Sequence, residues 1–214
     1  MSQEMEKLIA EMAKKARAAS RQLARADDRD KANALLKAAA QLRAQESTIL
    51  EANARDMEAA VANGLSPAML DRLKLDSARL SGVADAVEHI AGLSDPVGMV
   101  IDRSERPNGL VLERVRVPVG VLAIVFESRP NVTADAAALG LRSGNAVILR
   151  GGSEAVHSNR AIHAAMIAGL SEAGLPTDAV QFVPSQDRAA VGAMLRAQGA
   201  IDMVIPRGGK SLVA

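Results

Sequence analysis

The chain of 214 residues contains no cysteine, which excludes disulfide frameworks, thiolate metal sites and any cysteine nucleophile within it. It also has no tryptophan or tyrosine, and its two phenylalanines are Phe126 and Phe182. Proteins that bind single-stranded nucleic acid stack bases on aromatic rings, so this composition argues against that function. The three histidines, His89, His157 and His163, are too scattered to predict a metal cluster.

The chain also lacks a charge of one dominant sign and any long hydrophobic run. Its 26 basic and 25 acidic residues give a net charge of +1, so no positive field favours nucleic acid or a membrane surface. No apolar run approaches the ~18 residues of a membrane span. The first 13 residues include three glutamates and a lysine, so we expect no signal peptide and a cytoplasmic location.

A hydrophobic fraction of 49% with 24% charged residues is typical of a chain that buries a core. In residues 1–96, apolar residues recur at helical spacing. Asp27 and Asp28 are candidate caps of the second helix, Ser66 is a candidate N-cap of the fourth, and Asp76 is expected to start the fifth. We interpret this part as a helical layer of a cofactor-binding domain. The predicted helices run over 5–23, 28–42, 47–62, 67–73 and 76–92.

The pattern changes to alternation in residues 97–117. The turn residues Arg106-Pro107-Asn108-Gly109 separate two strand-like runs, which predicts a β-hairpin. A hairpin that protrudes from a domain often pairs with another subunit, so we expect an oligomerisation element. An ordinary hairpin packed on its own domain remains the alternative.

From residue 118 to 214, short apolar runs alternate with helical stretches. Continuous apolar runs indicate strands buried on both faces of a parallel sheet. The sequence therefore predicts an α/β fold: a doubly wound, Rossmann-like parallel sheet with an N-terminal helical layer and a β-hairpin excursion. The predicted strands are 119–126, 146–149, 180–183 and 203–205, and the predicted helices are 133–142, 155–173 and 187–197.

Several nucleotide-binding and hydrolytic motifs are missing. The dinucleotide fingerprint G-x-G-x-x-G does not occur, and neither do G-x-S-x-G and H-E-x-x-H. Gly209-Lys210-Ser211 matches the end of a P-loop, but Val204 stands where its first glycine is required. A P-loop nucleotide hydrolase is therefore excluded.

Three loops follow predicted strands, at the edge where open α/β sheets bind ligands. They are Glu127–Asn131, Arg150–Glu154 and Pro206–Lys210. The last two place an arginine beside paired glycines, and a guanidinium binds phosphate while glycine allows close approach of the backbone. The alternative to ligand binding is that these glycines only end the strands and that the arginines are only solvent-exposed charges at the edge of the sheet. Two such loops at one edge favour an anionic ligand.

Three segments resemble the gamma-glutamyl phosphate reductase family, also called glutamate-5-semialdehyde dehydrogenases, within the aldehyde dehydrogenase superfamily. They are VPVGVLAIVFESRPNVT at 117–133, SGNAVILRGGSEA at 143–155 and DMVIPRGGK at 202–210, and the resemblance extends over essentially all 214 residues. It implies NADPH-dependent reduction of L-glutamyl 5-phosphate to glutamate 5-semialdehyde and phosphate, a step of proline biosynthesis. It also implies a homo-oligomer at full length, with glutamate 5-kinase as a pathway partner.

The resemblance also assigns roles to residues. Asn131 matches the asparagine whose amide stabilises the oxyanion. Arg150 and Ser153 would suit the 2′-phosphate of NADP, and the Arg207 segment would lie near the pyrophosphate. Arg129 and Lys210 would each hold the substrate phosphate or serve as a rim charge. The implied cofactor-binding residues are Arg150, Gly151, Gly152, Ser153, Arg207, Gly208 and Gly209.

Members of this family use a cysteine thiolate as nucleophile, and this chain contains no cysteine. We therefore expect it to be an N-terminal, cofactor-side portion without the catalytic domain, inactive by itself. A non-catalytic dinucleotide-binding or interaction module derived from the same family is the alternative.

Overall fold

The structure, a computed structural model, describes residues 2–209. The helices in this part of the chain are α1 (Ser2–Leu23), α2 (Asp28–Ala44), α3 (Glu46–Ala62), α4 (Pro67–Leu73), α5 (Ser77–Ala91), α6 (Asn131–Arg142), α7 (Val156–Glu172) and α8 (Ala189–Arg196). The strands are β1 (Val100–Glu105), β2 (Val111–Val115), β3 (Val121–Phe126), β4 (Ala146–Arg150), β5 (Val180–Phe182) and β6 (Met203–Arg207). None of the described helices is long and apolar enough to cross a membrane.

The predicted N-terminal helices are present, but their predicted caps differ in how they work. The Asp76 carboxylate accepts a hydrogen bond from the backbone N–H of Arg79 at 2.9 Å, as expected of an N-cap. The side chains of Asp27 and Ser66 make no capping hydrogen bond. Their helices begin through the backbone carbonyls alone, and α4 also has proline at its first position.

The predicted hairpin forms a two-stranded antiparallel sheet of β1 and β2. Its turn is closed by the N–H of Gly109, which donates to the carbonyl of Arg106 at 2.9 Å. Gly109 has φ +82°, a conformation that favours glycine. Apart from Ser104, which is half-buried, every residue of β1 and β2 is exposed.

The second sheet has four parallel strands in the order β5-β4-β3-β6. All six residues of β3 are buried, which explains its continuous apolar sequence. The chain runs from β3 outward through β4 to β5, then returns to the other side of β3 for β6. The strand order therefore reverses between β3 and β6, the position where open α/β sheets bind ligands.

Helices cover both faces of this sheet, as expected for a doubly wound fold. On one face, Phe126 and Leu149 pack in a core with residues of α2, α5, α6 and α7. On the other, Val125 and Ile148 pack with residues of α1 and α8, including Ile9. The α/β fold class is confirmed.

Three element boundaries differ from prediction at the ligand-binding edge. Helix α6 begins at Asn131 rather than Thr133, and β4 includes Arg150. Strand β6 continues to Arg207, since Pro206 and Arg207 pair with Val125 and Phe126 of β3. Among the described strands β6 is an edge strand, where proline is tolerated because no second neighbour needs its missing N–H.

Candidate cofactor and substrate site

A cavity of about 380 Å³ lies where the strand order reverses. The loop after β3 and the end of β6 form opposite walls, and α4 closes a third side with Met69 and Arg72. The structure thus brings together two of the three loops that the sequence singled out. The loop residues lining the cavity are Glu127, Ser128, Arg129, Arg207, Gly208 and Gly209.

Glu127 links these two loops, a role that the sequence analysis missed. Its Oε1 accepts a hydrogen bond from the N–H of Gly209 at 3.0 Å. A Cβ at position 208 would lie 2.6 Å from Glu127 Cδ, so that close contact requires glycine there. The sequence did contain a sign of this contact, because the acidic Glu127 follows one strand and the paired glycines Gly208 and Gly209 follow a neighbouring strand.

Arg150, the last residue of β4, reaches toward the loop after β5. Its Nη2 donates to the carbonyl of Gln186 at 2.9 Å, while its buried Nε has no acceptor within residues 2–209. Burial, and then the positive charge of Arg188, lower the pKa of Arg150. Glu154, in the loop after β4, accepts a hydrogen bond from Ser128 Oγ at 3.2 Å.

The glycines after β4 are explained by packing within the protein. A Cβ on Gly151 would overlap Asn159 Nδ2 and lie 3.2 Å from Phe126 Cε2. A Cβ on Gly152 would lie 3.3 Å from the carbonyl carbon of Glu127, so this loop rests directly against the loop after β3. Neighbouring protein atoms therefore lie close to both glycines, and contact of Gly151 and Gly152 with a cofactor stays a prediction.

Ser153 lies in a different environment from Arg150. It lines a separate cavity of about 250 Å³ together with Asp56 and His157. The structure therefore gives Arg150 and Ser153 different neighbours, and their joint contact with one phosphate stays a prediction. Lys210 lies outside the described residues.

A second cavity, of about 470 Å³, lies beside the first between α4, α5 and α6. Asn131 lines it, and its Nδ2 donates to Asp135 Oδ2 at 2.9 Å. Burial raises the pKa of Asp135, opposed by the Asn131 hydrogen bond and the charge of Arg207. An asparagine amide has two N–H donors, so Asn131 keeps one for a ligand. Arg129 lines both cavities.

A buried polar network holds the helices behind these cavities. The Asp56 carboxylate accepts hydrogen bonds from the backbone N–H groups of His157 and Ser158, at 3.1 and 2.7 Å, and from Ser158 Oγ at 2.6 Å. Asn53 Nδ2 donates to Ser158 Oγ at 3.0 Å and to the carbonyl of Leu73 at 2.9 Å. The end of α4 is therefore tied through α3 to the start of α7.

Comparison with known proteins places this site in a family. The sequence pattern of the aldehyde dehydrogenase family matches residues 1–212, and the chain belongs to that family. Within it, the chain is 68% identical over 207 residues to gamma-glutamyl phosphate reductase of Novosphingobium aromaticivorans, covering 97% of this chain and 49% of that protein. The predicted resemblance to gamma-glutamyl phosphate reductases is confirmed.

Solved structures of that name share the fold. The gamma-glutamyl phosphate reductase of Thermotoga maritima is 44% identical with a TM-score of 0.92, over 95% of this chain and 49% of that one. The Saccharomyces cerevisiae protein is 36% identical with a TM-score of 0.87, over 95% and 52%. The chain thus spans about half the length of the relatives it matches.

Proposed function

We propose that this chain is the cofactor-side portion of a reductase that converts L-glutamyl 5-phosphate to glutamate 5-semialdehyde and phosphate in proline biosynthesis, with NADPH as reductant. The observation that carries the proposal is the cavity between β3 and β6, where two predicted loops meet at the reversal of strand order. The names of its relatives support the substrate.

The choice of NADP rests on the surroundings of Arg150. Arg188 adds a second positive charge near Arg150, beside the carboxylates of Glu154 and Asp187. The Nε of Arg150 is buried without an acceptor among residues 2–209, and an anion at this position would supply one. A 2′-phosphate supplies that anion, and a guanidinium binds it with charge-assisted hydrogen bonds. Arg207, Gly208 and Gly209 would hold the pyrophosphate. When bound, the cofactor supplies the hydride.

Asn131 would take part in catalysis through its amide. One N–H is held by Asp135, which fixes the orientation of the side chain, and the other is left to donate to an oxyanion. The thiolate step of the family needs a cysteine, which this chain does not contain. The 214-residue chain should therefore bind ligands without turning them over.

The hairpin of β1 and β2 supports assembly into a homo-oligomer. Val100 and Ile101 are 51% and 53% exposed, and exposed apolar patches mark interaction surfaces. A kinase that phosphorylates the side-chain carboxylate of glutamate, glutamate 5-kinase, must supply the acyl phosphate and is the proposed pathway partner. A cytoplasmic location is part of the same proposal.

Fluorescence titration tests cofactor binding directly. The chain has no tryptophan or tyrosine, so the emission of the reduced nicotinamide can be followed without interference from the protein. We expect both NADPH and NADH to bind, with NADPH bound more tightly. Absence of binding by either cofactor, or tighter binding of NADH, would contradict the proposal.

A further inference from the structure

Arg72 and Arg129 form a wall shared by the two cavities. The first cavity, of about 380 Å³, lies between the loop after β3 and the end of β6, and the second, of about 470 Å³, lies between α4, α5 and α6. Both side chains line both cavities. A ligand in either space therefore meets the same two guanidinium groups.

These two guanidinium groups have no ion-pair partner in the part of the chain that the structure describes, although Glu127 lines the first cavity and Asp71 and Asp135 line the second. Within residues 2–209, neither the Arg72 nor the Arg129 side chain makes a hydrogen bond or an ion pair. Arg79, which lines the second cavity as well, differs because it pairs with Asp71 at 2.6 Å. Glu127, the acidic residue of the first cavity, already accepts the hydrogen bond from Gly209. Two unpaired positive charges thus face a space large enough for a small molecule.

Arg72 is carried on a helix that the protein holds in place. Asn53 is buried, and its amide donates to the carbonyl of Leu73 at 2.9 Å and accepts from the N–H of Leu75 at 2.8 Å. The backbone on the C-terminal side of Arg72 is therefore fixed before a ligand binds. Because this backbone is already held, Arg72 loses less backbone freedom on binding than a residue on a mobile loop would.

We propose that Arg72, together with Arg129, binds the phosphate group of the acyl phosphate substrate; this inference rests on the proposed function. A guanidinium binds phosphate through parallel N–H···O bonds, and two of them match a dianion. Asn131 lines the second cavity, so a phosphate held at this wall leaves the adjoining carbonyl near its amide. Both arginines also line the first cavity, where Arg207, Gly208 and Gly209 would hold the pyrophosphate, so the substrate phosphate and the cofactor would lie side by side.

The test measures binding of a stable probe to the 214-residue chain by isothermal titration calorimetry. The probe is the β-ketophosphonate isostere of L-glutamyl 5-phosphate, in which a methylene replaces the bridging oxygen. We expect Arg72→Ala to weaken its binding about tenfold to a hundredfold, and Arg72→Lys to weaken it less. Arg55→Ala removes an exposed arginine of α3 outside both cavities and should leave binding unchanged.

Two further titrations identify the group that is bound and separate the two proposals. An isostere that lacks the α-carboxylate should show the same loss in Arg72→Ala; an unchanged affinity for it would assign Arg72 to the carboxylate and overturn the inference. In Arg72→Ala, the affinity for NADPH should fall by a smaller factor than the affinity for the isostere, because Arg207, Gly208 and Gly209 remain to hold the pyrophosphate. If NADPH binds but the isostere does not, or Arg72→Ala binds the isostere normally, this inference alone fails. If neither ligand binds the wild type, the proposed function fails with it.

Discussion

Replacing Arg150 by alanine should change the cofactor preference of the chain. Among the described residues, the guanidinium makes one hydrogen bond, from Nη2 to the carbonyl of Gln186 at 2.9 Å, and its buried Nε has no acceptor. A charge-assisted contact with a 2′-phosphate contributes about 1.5–3 kcal/mol, or roughly tenfold to more than a hundredfold in affinity. Arg150→Ala should weaken the binding of NADPH by that factor and change the binding of NADH little. The dissociation constants of the two cofactors should therefore become more similar.

The chain offers a matched control for this substitution. Arg160 Nη2 donates to the carbonyl of Pro184 at 2.8 Å, in the same loop after β5, but this side chain is exposed. Arg160→Ala should leave both dissociation constants unchanged in the same fluorescence titration. Equal losses for NADPH and NADH in Arg150→Ala would refute the reasoning, because they would show that Arg150 supports the loop rather than the 2′-phosphate.

The remaining predictions concern the site and its support. Gly208→Ala, which brings a Cβ within 2.6 Å of Glu127 Cδ, should weaken NADPH binding with little change in the midpoint of urea unfolding. Asp56→Ala leaves Ser158 Oγ and two backbone N–H groups without their buried acceptor and should lower the free energy of unfolding by about 3 kcal/mol in urea. Burial raises the pKa of Asp135 above its ordinary value, so the folded protein should lose stability as the pH rises to the folded-state pKa of this carboxyl group. Asp135→Asn removes this titration, so the free energy of unfolding of the variant should rise relative to that of the wild type over the same pH range. A difference that stays constant with pH would contradict this prediction.

The sequence predicted the fold well where a single pattern controls the structure. The continuous apolar run at Val121–Phe126 predicted a strand buried on both faces, and β3 has that burial. Asn108-Gly109 predicted the turn of the hairpin, where Gly109 adopts a positive φ. These features depend on local conformation and on burial, and the pattern of apolar residues along the sequence indicates both.

Contacts between distant segments could not be predicted in the same way. The hydrogen bond from Gly209 to Glu127 joins residues 82 positions apart, and Asn53 meets Ser158 across 105 positions. The resemblance named the loop residues, but only the packing of α4 against α3 placed Arg72 beside Arg129. Arg150 shows the same limit, because its partner is a backbone carbonyl, which no residue type in the sequence reveals.

Chemical-shift mapping tests the central claim, that the cavity between β3 and β6 binds NADPH. The amide signals of glycines fall in a distinct region of a ¹⁵N–¹H spectrum, and this chain has 16 glycines spread over its surfaces and core. Titration with NADPH should shift the signals of Gly208 and Gly209 and leave that of Gly192, on α8 across the sheet, unchanged. Shifts confined to the hairpin or to α8, or no shifts at all, would contradict the account.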